Sequence, residues 1–168
     1  EHDRAPEYAL LAPYSALRVK SMPFQNFSIW RGRLPHWRAD DVVYYVTFRH
    51  RRPLTEPECT VLFKCLMRPD GRKWDLQILC VLPEVTELIF TVSEGPTGRP
   101  YELSEIVEKS KTKAGKLICK ATGERFPPFY IESYDRIIRD EMELAERWKA
   151  IFDSAPDDQE EEYRFLWI

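Results

Sequence analysis

Two apolar runs, 74–82 and 86–92, are joined through the tight connection Pro83-Glu84. A link that short predicts a β-hairpin, and a hairpin needs a third strand and a packed layer to be stable. The run from Val42 to Phe48 is β-branched, aromatic and continuously apolar, as expected of a central strand. These segments commit the middle of the chain to a sheet. What surrounds them must cover it.

Between the first strand and the hairpin lies a helix signature. Thr55 can cap, Pro57 suits the first turn, and Glu58 completes a capping box. Cys59, Leu62, Phe63 and Leu66 then recur on one face, and Pro69-Asp70-Gly71 ends the helix. After a Gly/Pro loop over 94–100, Leu103, Ile106, Val107, Ser110, Ala114, Leu117 and Ile118 outline a second amphipathic helix. Its outer face carries Lys109, Lys113, Lys116 and Lys120, with Lys111 nearby. A short strand is expected at 129–131. Asp140 with Glu143 caps a third helix, whose buried stripe is Leu144, Ala145, Trp148, Ile151 and Phe152. The order strand, helix, strand, strand, helix, strand predicts an α+β, ferredoxin-like antiparallel sheet. Two helices should cover one face, a C-terminal helix should follow, and the other face should be free for binding.

The chain divides into an N-terminal arm over 1–30, a domain over 31–156, and an acidic and aromatic tail over 157–168. The rings of Tyr163, Phe165 and Trp167 should dock the tail back on the body. With 43% hydrophobic residues the domain has enough apolar side chain for a core. No apolar run reaches membrane-spanning length, and no secretory signal opens the sequence. Cys59, Cys65, Cys80 and Cys119 have neither Cys-x-x-Cys nor zinc spacing; Cys59 and Cys80 lie in segments that read as core, and a reduced, cytoplasmic setting is expected. Net charge is −3, which disfavours a simple nucleic-acid binder, but the charges are unevenly placed. Through Arg139, basic residues lead acidic ones 22 to 18; from Asp140 onward acids lead 10 to 3. A basic face on the body is compatible with that split. The acidic end could compete for it or serve as a contact for a protein partner.

Four segments, in order, resemble one family. They are Arg33-Leu34-Pro35-His36-Trp37 with Tyr44-Tyr45-Val46-Thr47-Phe48-Arg49; Val81 to Phe90; Leu103-Ser104-Glu105-Ile106-Val107 with Lys111; and Glu132 to Glu141. Together they resemble the REP-associated tyrosine transposases of the HUH single-tyrosine superfamily. Ala155-Pro156 stands where relatives carry Asn-Pro. The resemblance implies single-stranded DNA cleavage and joining at hairpin-forming repeats. Two histidines alternating on a strand would hold a magnesium or manganese ion, and a tyrosine would attack the phosphorus.

This chain departs from the pattern where the chemistry sits. Val85 and Glu87 occupy the two histidine positions. Valine has no donor atom, Glu87 alone is a weak metal candidate, and Glu84 belongs on the opposite face of a regular strand. Aligned on Asp135-Arg136, Ser133 takes the tyrosine's place and Tyr134 falls one residue late, leaving Tyr134 a weak nucleophile candidate. No catalytic site, metal or cofactor is therefore expected to function. His50, among arginines, is expected to face solvent.

Nucleic-acid contact is assigned to Arg31, Arg33, Trp37 and Arg38, to Arg49, Arg51 and Arg52, and to Lys109, Lys111, Lys113 and Lys116, which could converge on one rim. The expected function is a catalytically inactive, transposase-like domain that binds single-stranded or hairpin DNA. The alternatives are a protein-interaction module on the same scaffold and, last, an active transposase with an atypical site.

Overall fold

The computed structural model of the chain describes residues 18–20, 22–31, 35–130, 132–157 and 161–168. A hairpin of β1 (Ser28–Arg31) and β2 (Pro35–Arg38) precedes the main sheet. The sheet strands are β3 (Val43–Arg49), β4 (Trp74–Val81), β5 (Val85–Val92), β6 (Tyr134–Ile137) and β7 (Leu166–Trp167). Among the described residues the order is β6-β3-β5-β4-β7, antiparallel throughout. The first four strands of that order are arranged as a β-α-β-β-α-β motif requires. The hairpin expected from Pro83-Glu84 is β4–β5.

Helix α1 (Glu56–Met67) starts as its sequence dictates. The Glu58 carboxylate accepts from the Thr55 backbone N–H (3.1 Å) and hydroxyl (2.8 Å). A π-helical turn over Ser104–Glu108 leads into α2 (Lys109–Thr122), which closes on Gly123 with φ 77°. Both helices cover one face of the sheet, over a core that includes Leu62, Leu66, Trp74, Phe90, Ile106 and Ile118.

The other face is not left free, as the ferredoxin-like expectation had it. Helix α3 (Glu141–Ser154) lies on it and buries Leu144, Trp148 and Ile151 against Tyr45, Ile78, Cys80 and Ile89. The same apolar alternation that faces α1 and α2 is repeated on the odd positions of β3 and β5, so a second cover is obligatory. Its cap is the one predicted, with Asp140 accepting from the Glu143 N–H at 2.7 Å.

The last core strand also differs from expectation. Phe129 makes only an isolated bridge to His50, and the strand proper is Tyr134–Ile137. Residues 132–140 thus supply a strand and a cap before the helix begins at Glu141. Tyr-Asp-Arg-Ile is a weak strand signature because its buried position 135 is an aspartate, neutralised by Arg38 at 3.0 Å. The tail docks as its rings suggested. Phe165 is buried, the Tyr163 hydroxyl donates to the Val81 carbonyl (2.7 Å), and β7 adds to the β4 edge. Cys59, Cys65 and Cys80 are buried free thiols. No described helix is long and apolar enough to cross a membrane.

Candidate nucleic-acid interface

Strand periodicity decides what shares a surface. On β5, Val85 and Glu87 alternate with the buried Thr86 and lie on the α3 side, in step with Ile89. Thr47 on β3 is paired with Glu87 on one side and Tyr134 on the other. Glu87, Thr47 and Tyr134 therefore form one row across three strands, its ends about 10 Å apart by strand spacing. Arg49 stands opposite Val85, at the open end of the same face. The one-residue offset in the sequence now has a geometric meaning. Tyr134 faces the Val85–Glu87 surface, and Ser133 faces the other way.

Ser133 is enclosed. It is buried and accepts a hydrogen bond from the Lys111 ammonium at 3.1 Å. Lys111 is itself 5% exposed, not on the solvent face of α2, and lies 4.3 Å from the centroid of the Phe48 ring. Burial lowers its pKa to about 8, with Glu108 and Glu132 acting in the opposite sense.

Glu87 is half-buried rather than a solvent-facing strand residue. Its carboxylate accepts from the Tyr45 hydroxyl at 2.6 Å. Burial first, and then Glu87, push the Tyr45 pKa up. The Arg147 guanidinium lies 4.4 Å over the Tyr45 ring. A cleft of about 450 Å³ opens here between the sheet and α3. Within it Glu143 receives Arg136 (3.0 Å), Arg139 (3.4 Å) and Arg147 (3.7 Å).

A divalent ion does not fit these residues. Val85 offers no lone pair and the Glu87 carboxylate already serves Tyr45. Among the described residues no group of three His, Cys, Asp or Glu side chains converges.

Among the described residues the basic side chains do not gather on one rim. Arg49 and Arg51 are exposed at the end of β3. Arg52, beside them, is consumed by Glu58 (2.6 Å) and Glu124 (3.0 Å), which raise its pKa and draw the Glu58 carboxyl down to about 2. Arg38 is bound to Asp135. Lys109, Lys113 and Lys116 are exposed on α2, on the opposite layer from Val85 and Glu87. Arg31 and Trp37 belong to β1 and β2, and their side chains, with that of His36, lie outside what is described, as does Arg33 altogether.

His50 is 8% exposed, against expectation. Its Nδ1–H donates to the Pro83 carbonyl (2.7 Å) and its Nε2 accepts from the Thr86 hydroxyl (2.9 Å), tying β3 to the hairpin turn. Burial, opposed by the Pro83 bond, lowers its pKa. Arg125, Phe126 and Tyr130 form a further basic and aromatic group, exposed in a loop and not expected from the sequence. The signal available was Arg-Phe followed by two prolines, too rigid and too apolar for an ordinary solvated turn.

The architecture is that of an α+β domain with a five-stranded antiparallel sheet and three helices. It is shared with a REP-associated tyrosine transposase solved bound to a REP hairpin, at TM-score 0.52 and 17% identity over 74% of this chain and 70% of that one. A candidate transposase from Deinococcus radiodurans R1 aligns at TM-score 0.47 and 13% identity, covering 74% of this chain and 96% of that one. No family model matches the sequence, and no curated protein does.

Proposed function

We propose that this chain is a transposase-like domain that holds single-stranded or hairpin DNA and does not cut it. The observation that carries the reading is the Val85–Glu87–Thr47–Tyr134 surface. It has the strand arrangement of the resemblance, a side chain without donor atoms at one metal position, and an engaged carboxylate at the other. Without a Lewis acid to polarise a scissile phosphate, a tyrosine hydroxyl has no partner here that would drive its attack on phosphorus. Binding is assigned to Arg49 and Arg51 beside that surface, with Arg31, Arg33 and Trp37 of the basic segment before β3, and to Lys109, Lys113 and Lys116 as a separate cationic face. The solved hairpin complex of the similar fold supports DNA as the partner. Three buried free thiols accord with a reducing, cytoplasmic setting.

The test is fluorescence anisotropy with a labelled DNA hairpin across a salt series. Binding should weaken linearly in log salt, and Arg49→Gln should reduce the slope by about 0.7–0.9. A chain that fails to bind the hairpin even at low salt would sink the proposal.

A further inference from the structure

We propose that the loop ring Phe126 is a stacking platform for one unpaired base, with Arg51 and Arg125 set to receive the flanking phosphates. The inference rests on the DNA-binding reading and deepens it by naming the ligand element and its seat.

Phe126 is 58% exposed, yet the loop beneath it is fixed. The Arg51 N–H donates to the Pro128 carbonyl at 2.6 Å. Phe129 is buried, edge-on to Phe48 at a centroid distance of 6.1 Å. Pro127 lies so close to α2 that a Cβ on Gly115 would sit 2.9 Å from the Pro127 Cβ, so only glycine permits the approach. Arg52 clamps Glu124 at the start of the loop. A large apolar ring left more than half exposed contributes little to the fold, while preorganisation lowers the entropy cost of binding.

The charges around the ring specify the ligand. Arg51 lies 5.7 Å and Arg125 5.3 Å from the ring centroid. Neither makes an ion pair among the described residues, because Glu124, the nearest carboxylate in sequence, is taken by Arg52. A ligand satisfying this arrangement offers a planar π face flanked by two anions. A nucleotide within a strand is such a group, and stacking on an aromatic serves any base. Arg51 follows Arg49 past the end of β3, so a strand seated on Phe126 continues past Arg49 toward the Val85 end of the sheet.

The experiment compares anisotropy titrations of a stem–loop and a blunt duplex of equal stem. Phe126→Ala should weaken stem–loop binding on the order of tenfold, as expected for one lost base stack, and leave duplex binding unchanged. Phe126→Trp should preserve binding, and Arg51→Gln with Arg125→Gln should lower the salt slope by about 1.4. Unchanged thermal melting checks that the exposed position leaves the fold intact. Equal stem–loop affinity in wild type and Phe126→Ala overturns the platform alone. A wild type that binds neither probe overturns the DNA-binding reading and the platform with it.

Discussion

Replacing Lys111 by methionine should stabilise this protein, although the residue looks from sequence like one of a row of DNA-binding lysines. The ammonium is buried, with Ser133 at 3.1 Å and the Phe48 ring at 4.3 Å as near partners. Burial takes its pKa from the ordinary 10.5 to about 8. At ~1.36 kcal/mol per pH unit, holding the charge inside at neutral pH costs roughly 3 kcal/mol. The hydrogen bond and the cation–π contact return about 1 kcal/mol each. A net gain of about 1 kcal/mol is expected for Lys111→Met at pH 7. Between pH 8 and 10.5 the unfolded chain binds more protons than the folded one, so wild-type stability rises there and the variant's advantage closes. Urea unfolding at pH 7 and pH 10 measures both effects. A loss of more than about 1 kcal/mol at pH 7, or a difference that does not change with pH, would refute the reasoning. Hairpin affinity should stay within about twofold, since a buried amine cannot reach a phosphate.

Acid titration offers a second check. Glu58, held at about 2 first by Arg52, contributes stability that is complete above its ordinary 4.5 and lost as pH falls through about 2. Glu58→Gln should cost about 1–3 kcal/mol at pH 7 and much less at pH 2, read by chemical denaturation. His50 acts in the same direction at higher pH. Its lowered pKa means stability declines as pH drops below 6.5, and His50→Gln should flatten that part of the profile. Restoring the histidine pair tests the geometry of the surface directly. The double variant V85H with E87H should gain a melting-temperature rise with zinc or manganese that wild type lacks, because alternate strand positions share one face. No metal-dependent shift would mean that the two positions do not converge.

Where local chemistry decides, the sequence was readable. Thr55 to Glu58, Asp140 to Glu143 and the Pro83-Glu84 connection each set an element within a few residues of themselves. What was hidden depended on partners far along the chain. Asp135 occupies a buried strand position facing Arg38, 97 residues before it in the chain. Lys111 stands four residues after Val107 and three before Ala114, so helical spacing already sets it on the buried stripe; only its partners Ser133 and Phe48 lay out of reach of that periodicity. His50 is buried because the hairpin turn brings Pro83 and Thr86 to both ring nitrogens. The histidine positions were legible through resemblance, but the capture of Glu87 by Tyr45 was not, since their pairing spans 42 residues. Arg125-Phe126-Pro127-Pro128 carried a local signal for the exposed ring, and burial added that the core leaves Phe126 in solvent.

The decisive measurement is to incubate the chain with single-stranded, hairpin-bearing repeat DNA and manganese, and to resolve the mixture under native and denaturing conditions. A complex that survives the native gel and leaves no covalent protein–DNA band after denaturation is the predicted result. A denaturant-resistant adduct that disappears in Tyr134→Phe would show that this surface still performs the cut.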